Sequence, residues 1–154
     1  MRRIFAAANF GLGLVAICIY VASFLRPTHR DFFFGFLAFD LFCWTLTTWI
    51  GRNRYGENLG ILPYGDVAPW LKVSTKLLLA FCVLNIVPLL LSGTPLEEDG
   101  RTYKKTLGGK QEIGEAEFRF LEANEERFFC ATLFMLNSGL ALTLLFQRPT
   151  IELR

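Results

Sequence analysis

Four long apolar runs dominate the sequence, and each has the length that a membrane-spanning helix needs. They cover residues 4–25, 32–50, 70–91 and 128–146. A helix rises about 1.5 Å per residue, so about 20 residues cross a hydrocarbon layer of about 30 Å. The runs are apolar on all sides rather than along one stripe, which is typical of helices surrounded by lipid. The pattern predicts a single membrane domain, residues 1–154, folded as an all-α bundle of four transmembrane helices.

The longest polar segment, residues 92–127, lies just before the last run. Within it, two short stretches, 101–107 and 110–113, flank the pair Gly108-Gly109. Two glycines between short polar stretches favour a two-residue turn in a β-hairpin. We therefore expect a small β-hairpin on one side of the bundle.

The rest of this polar segment predicts a turn-rich beginning and a helical end. Residues 93–100 are acidic and rich in turn formers. Gly114 is suited to the N-cap of a helix, with Glu117 three residues later as a weak capping box. We expect this helix to continue through Arg127 into the last span, which gives a hairpin-plus-helix insertion.

Composition supports a lipid environment and excludes several function classes. Hydrophobic residues make up 53% of the chain and charged residues 19%, against about 25% charged residues in soluble domains. The net charge of +2 comes from mixed signs and gives no basic patch for nucleic acid. The chain has no glycine-rich phosphate loop and no Cys/His metal spacing. We predict the lipid bilayer as a partner, and no nucleic acid, metal or cofactor.

The ends of the runs resemble membrane interfaces, and an even number of spans places both termini on one side. Aromatic residues between the second and third runs form a candidate interfacial belt: Trp49, Tyr55, Tyr64 and Trp70. Within the first run, Gly11 and Gly13 predict a close approach by another helix. Basic residues are equally numerous on the two sides. Because a long polar segment constrains orientation less than short loops do, we favour cytoplasmic termini.

Asp40 is the sharpest candidate for chemistry, because it lies near the middle of the second run. Asn85 and Asn137 lie near the middles of the third and fourth runs, so the three side chains would share one depth. An ionised carboxylate in a bilayer costs several kcal/mol unless it is paired. The functional hypothesis is a proton or cation site in a small transporter or channel component. The alternative, which we favour, is a neutral or hydrogen-bonded carboxyl that holds the helices together.

The thiols and the single histidine give little support to catalysis. Each run carries one cysteine: Cys18, Cys43, Cys82 and Cys130. None belongs to a C-x-x-C pair, and a buried cysteine behaves as a small hydrophobe. His29 has no second histidine with which to build a metal or haem site. We assign no catalytic residue, and a membrane lipid or thiol enzyme is the least favoured hypothesis.

The polar insertion resembles a cassette of small uncharacterised bacterial membrane proteins. The resemblance lies in residues 99–103, in Gly109-Lys110, in Glu112-Ile113 and in Glu117-Phe118. It implies a bacterial inner-membrane protein, sometimes encoded near toxin systems, and it assigns no reaction.

A structured polar insertion in a chain without catalytic groups favours a protein that works by binding. We expect the partner to be another protein or a second copy, as for an immunity-type protein or an accessory subunit of a membrane complex. The candidate contact residues are Tyr103, Lys104, Lys105, Lys110 and Phe118.

Overall fold

The computed structural model describes residues 2–25, 30–55, 69–106 and 108–146, which form four long helices and a small sheet. In chain order the elements are α1 (Arg2–Ala22), α2 (Arg30–Tyr55), α3 (Pro69–Ser92), β1 (Thr94–Glu98), β2 (Arg101–Thr106), β3 (Gly109–Glu112) and α4 (Glu115–Phe146). Each helix contains a segment long and apolar enough to cross a membrane, as predicted. The candidate span of the second helix is Phe32–Ile50, as predicted, and the helix itself continues to Tyr55. His29 and Tyr64 lie outside the described residues, as does most of both predicted connections around them.

Helix α4 is the central helix of the bundle. About half of its span is buried by the other elements, whereas α2 and α3 leave most of their apolar side chains exposed. Helix α1 packs on it through small residues, with Ala6, Gly13 and Ala16 in its buried stripe. Small residues let two helix backbones approach closely. The predicted close approach is therefore found at Gly13, whereas Gly11 faces open space.

Helices α1, α2 and α4 meet in two apolar layers. One layer, near the start of α1, joins Ala6 with Leu140 and Leu144, and Trp44 packs against it. The other layer, near the end of α1, is built from Ile19, Phe33 and Cys130, with Tyr20, Phe36 and Phe129 packed around it. The pairing of the start of α1 with the end of α4 shows that these two helices run antiparallel. Polar side chains occupy the region between the layers.

The sheet has three antiparallel strands in the order β1-β2-β3, so the insertion contains one strand more than the predicted hairpin. β1 occupies residues for which the sequence predicts turns. Asp99 and Gly100 both have positive φ, 53° and 71°, and connect Glu98 to its partner Arg101. Two central residues with positive φ define a tight hairpin turn for which Asp-Gly is a favoured pair. In the second hairpin Thr106 pairs with Gly109, so that Gly109 belongs to β3 rather than to the turn.

Helix α4 begins and continues as predicted. The Gly114 carbonyl accepts the Phe118 N–H at 3.0 Å, which places Gly114 at the N-cap. Glu117 does not close a capping box, because its carboxylate accepts a hydrogen bond from Lys104 instead. The helix then runs without a break through Arg127 to Phe146, so the insertion is joined rigidly to the last span.

Candidate functional site

The first candidate site is a buried polar contact between α2 and α4. Asp40 and Asn137 are both fully buried, at 0% exposure. The Asn137 amide nitrogen donates to both carboxyl oxygens of Asp40, at 2.8 and 2.9 Å, and also to the Leu133 carbonyl at 2.9 Å. Gly13 of α1 lies against the same place, because a Cβ there would be 3.5 Å from Asn137 Cβ. Three helices therefore enclose one carboxyl group.

The structure brings together two members of the predicted polar cluster and not the third. Asn85 is half-buried on α3 and donates to the Phe81 carbonyl of its own helix at 2.8 Å. A different amide, Asn9 of α1, forms a second buried contact with α2, donating to the Thr47 hydroxyl at 3.3 Å. Sequence reasoning missed Asn9, although it is the only amide in the first apolar run.

The second candidate site is the polar surface of the insertion, which is held firmly on α4. Ile113, Phe118 and Leu121 form a small apolar core where the sheet meets the helix. Lys104 of β2 binds Glu117 of α4 at 2.9 Å. The Thr102 hydroxyl donates to the Ile113 carbonyl at 2.7 Å. The sheet is thus a fixed platform and not a loose loop.

The predicted contact residues divide into supporting and exposed groups. Phe118 is only 6% exposed and belongs to the apolar core that supports the sheet. Lys104 is half-buried and bound to Glu117. Lys110 forms an ion pair with Glu98 and lies 4.1 Å above the centre of the Tyr103 ring. Lys105 is exposed at the end of the sheet.

The outer edge of β3 is open among the described residues. All four residues of β3 are exposed, and the strand has a neighbour, β2, on one side only. The Ile113 N–H donates to the Thr102 carbonyl, which identifies this opposed pair as hydrogen-bonded. Since such pairs alternate along antiparallel strands, the backbone groups of Lys110 and Glu112 point away from β2. These groups can pair with an additional strand.

A lateral groove of about 520 Å³ runs between α1, α3 and α4. Its wall is almost entirely apolar and includes Phe10, Leu78, Phe81 and Phe134. It opens on the outer apolar surface of the bundle. The described residues place no charged side chain in its lining.

The described residues do not assemble a metal or disulfide site. All four cysteines are free thiols, of which Cys130 is buried and Cys18 exposed. Cys43 and Cys82 are half-buried, and Cys82 lies 3.4 Å from the Thr132 hydroxyl of α4. No group of three or more His, Cys, Asp or Glu side chains suited to a metal ion occurs in this part of the chain.

Comparison with known proteins adds no family to this description. The chain matches no protein-family model, no curated protein and no solved structure.

Proposed function

We propose that the chain is an integral membrane protein that works by binding another protein through the sheet β1-β2-β3. Membrane insertion is supported by the large apolar side chains that α2 and α3 leave exposed, such as Phe42, Leu84 and Leu90. An apolar surface of this extent is stable in lipid, whereas in water it leads to association. The bacterial inner membrane, with cytoplasmic termini, is the location we propose.

The open edge of β3 is the observation that carries the binding proposal. An extended segment of a partner can add to such an edge through main-chain hydrogen bonds, as in β-strand addition. The platform is rigid, because Lys104 of the central strand binds Glu117 at the start of α4 and Thr102 binds Ile113, between β3 and α4. The exposed charges of Lys105, Lys110 and Glu112 lie near this edge and favour a partner with both signs of charge.

This proposal includes an immunity-type protein and an accessory subunit of a membrane complex. Both bind a partner without performing chemistry. A transporter function would use Asp40, but its side chain is fully buried, at 0% exposure.

Proline substitution at β3 tests the proposal directly. Lys110→Pro removes a backbone N–H that points away from β2, so it blocks strand addition and leaves the β2–β3 hydrogen bonds intact. Lys110→Thr is the matched control, because it removes the same charge and keeps the N–H. We expect the tagged full-length chain, purified in mild detergent, to carry a stoichiometric protein partner that Lys110→Pro loses and Lys110→Thr retains. A chain that always emerges alone and monomeric, or a partner that survives Lys110→Pro, would contradict binding through β3.

A further inference from the structure

The contact between Asp40 and Asn137 has more acceptors than donors. An amide nitrogen carries two hydrogens. One is used by the Leu133 carbonyl, and the two Asp40 oxygens share the other. The Asn137 carbonyl oxygen is also buried and has no hydrogen-bond partner among the described residues. Buried polar groups are normally paired, so this site lacks at least one donor.

The apolar runs of α1, α2 and α4 contain no positively charged residue to balance an ionised Asp40. The apolar runs of α1 and α4 contain no charged residue, and Asp40 is the only one in that of α2. Arg127 lies ten residues before Asn137 on α4, about 15 Å away along the helix axis. The other titratable side chains on the packed faces of α2 and α4 are the thiols of Cys43 and Cys130 and the buried carboxyl of Glu126, which lies eleven residues before Asn137 on α4. Helix α3 packs on α4, and its Lys72 and Lys76 are exposed.

A bound proton supplies both the missing hydrogen-bond donor and the missing positive charge. We propose that Asp40 and Asn137 form a proton-binding site, in which Asp40 is held as a neutral carboxylic acid between α2 and α4. The proton is taken from water, forms an O–H bond with one Asp40 oxygen, and returns to water on release. Binding removes the charge, whose burial without a partner is unfavourable, and adds the absent donor.

The site also explains how α2, which packs weakly, is attached to the other helices. Outside the two apolar layers, α2 is joined to the other helices by the Asp40–Asn137 and Asn9–Thr47 contacts. A proton on Asp40 makes the first of these a contact between two neutral groups. The inference uses the proposed membrane insertion but not the proposed partner, so partner binding can fail without affecting it.

Infrared spectroscopy of the full chain in lipid vesicles tests the proposal. A protonated carboxyl has its own C=O stretching band, separate from those of carboxylates. We expect this band at neutral pH in the wild-type chain, its loss in Asp40→Asn, and its retention in Glu126→Gln, which removes another buried carboxyl. Circular dichroism shows whether each variant keeps its helices.

A second variant keeps the test decisive if Asp40→Asn does not fold. Asn137→Leu removes the hydrogen-bond donor of Asp40, so the Asp40 band should shift in frequency. A wild-type chain with no protonated-carboxyl band at neutral pH overturns the proposal. So does a band unchanged in Asn137→Leu, or carboxylate bands that respond to sodium or potassium, which would assign a metal cation instead.

Discussion

Gly13 faces the residue that holds Asp40, and its missing side chain lets α1 approach α4. A Cβ at this position would lie 3.3 Å from the Ser138 hydroxyl and 3.6 Å from the Phe134 ring. A larger side chain must therefore push the helices apart. Gly11, two residues earlier in the same apolar run, faces open space.

Leucine at these two glycines should have opposite consequences. We expect Gly13→Leu to destabilise the fold by about 1–3 kcal/mol, because overpacking forces backbone shifts. Gly11→Leu should leave the stability unchanged or slightly raised. Thermal denaturation of both variants in one detergent measures the difference. Equal midpoints for the two variants would show that α1 and α4 do not approach closely at Gly13.

The sequence predicts that Asp40 and Asn137 lie at one depth in the bundle, but it does not show that Asn85, at the same depth, lies apart from them. Depth in a bundle follows from residue number, because each residue advances about 1.5 Å along its helix. The direction in which a side chain points depends on how the helices pack, and the all-apolar runs carry no stripe that reveals it. Asn85 therefore shares the predicted depth but bonds within its own helix. Asn9 could have been noticed as an isolated amide, but its partner Thr47 could not.

At the scale of elements, Arg127 joins the end of α1 to the middle of α4. Its guanidinium donates to the Ser23 carbonyl at 3.0 Å and to the Ser23 hydroxyl at 3.1 Å. It also donates to Asn124 at 3.2 Å and lies 4.0 Å above the Phe24 ring. A forked cation at the end of a helix satisfies carbonyl groups that have no partner within the helix.

Loss of this guanidinium should weaken the contact between the end of α1 and the middle of α4. We expect Arg127→Gln to lower the free energy of unfolding by about 1–3 kcal/mol, as for hydrogen bonds that involve a charged group. Arg119→Gln on the same helix is the control, since its exposed pair with Glu115 contributes less than about 1 kcal/mol. Chemical denaturation in mixed micelles gives both values. If Arg119→Gln lowers the free energy of unfolding as much as Arg127→Gln does, the contacts between Arg127 and Ser23 contribute no more than an exposed ion pair.

The elements of the insertion could be predicted in part from the sequence. The step from sheet to helix at Gly114 follows from a change of pattern, and the helix does begin there. The first strand was missed, because residues 93–100 contain Gly, Pro and acidic residues that are rare in strands. The signal that identifies it is Asp99-Gly100, a favoured hairpin turn that implies a strand on each side. Acidic strand residues are tolerated here because Thr94–Glu98 pairs along an exposed sheet.

At the scale of the whole molecule, composition predicts four long helices but not the helix around which they pack. Helix α4 is central because its apolar half carries small and polar residues, among them Ala131, Asn137 and Gly139, that fit against neighbours on several sides. Helices α2 and α3 have larger apolar side chains and expose them. Apolar residues that face lipid and apolar residues that face a helix have similar composition, so the sequence pattern alone does not distinguish them.

The antiparallel arrangement predicts that the sheet and the chain termini lie on opposite sides of a membrane. Ala6 of α1 packs beside Leu144 of α4, which places both helix ends together and away from the insertion. We expect a membrane-impermeant maleimide to label Lys105→Cys on intact cells, if the termini are cytoplasmic. Cysteine tags fused to either terminus should react only after permeabilisation. The native thiols lie within the four candidate spans, so the unmodified chain is the background control. Labelling of Lys105→Cys and a terminal tag from the same side would rule out four spans, and labelling of the tags alone would reverse the orientation.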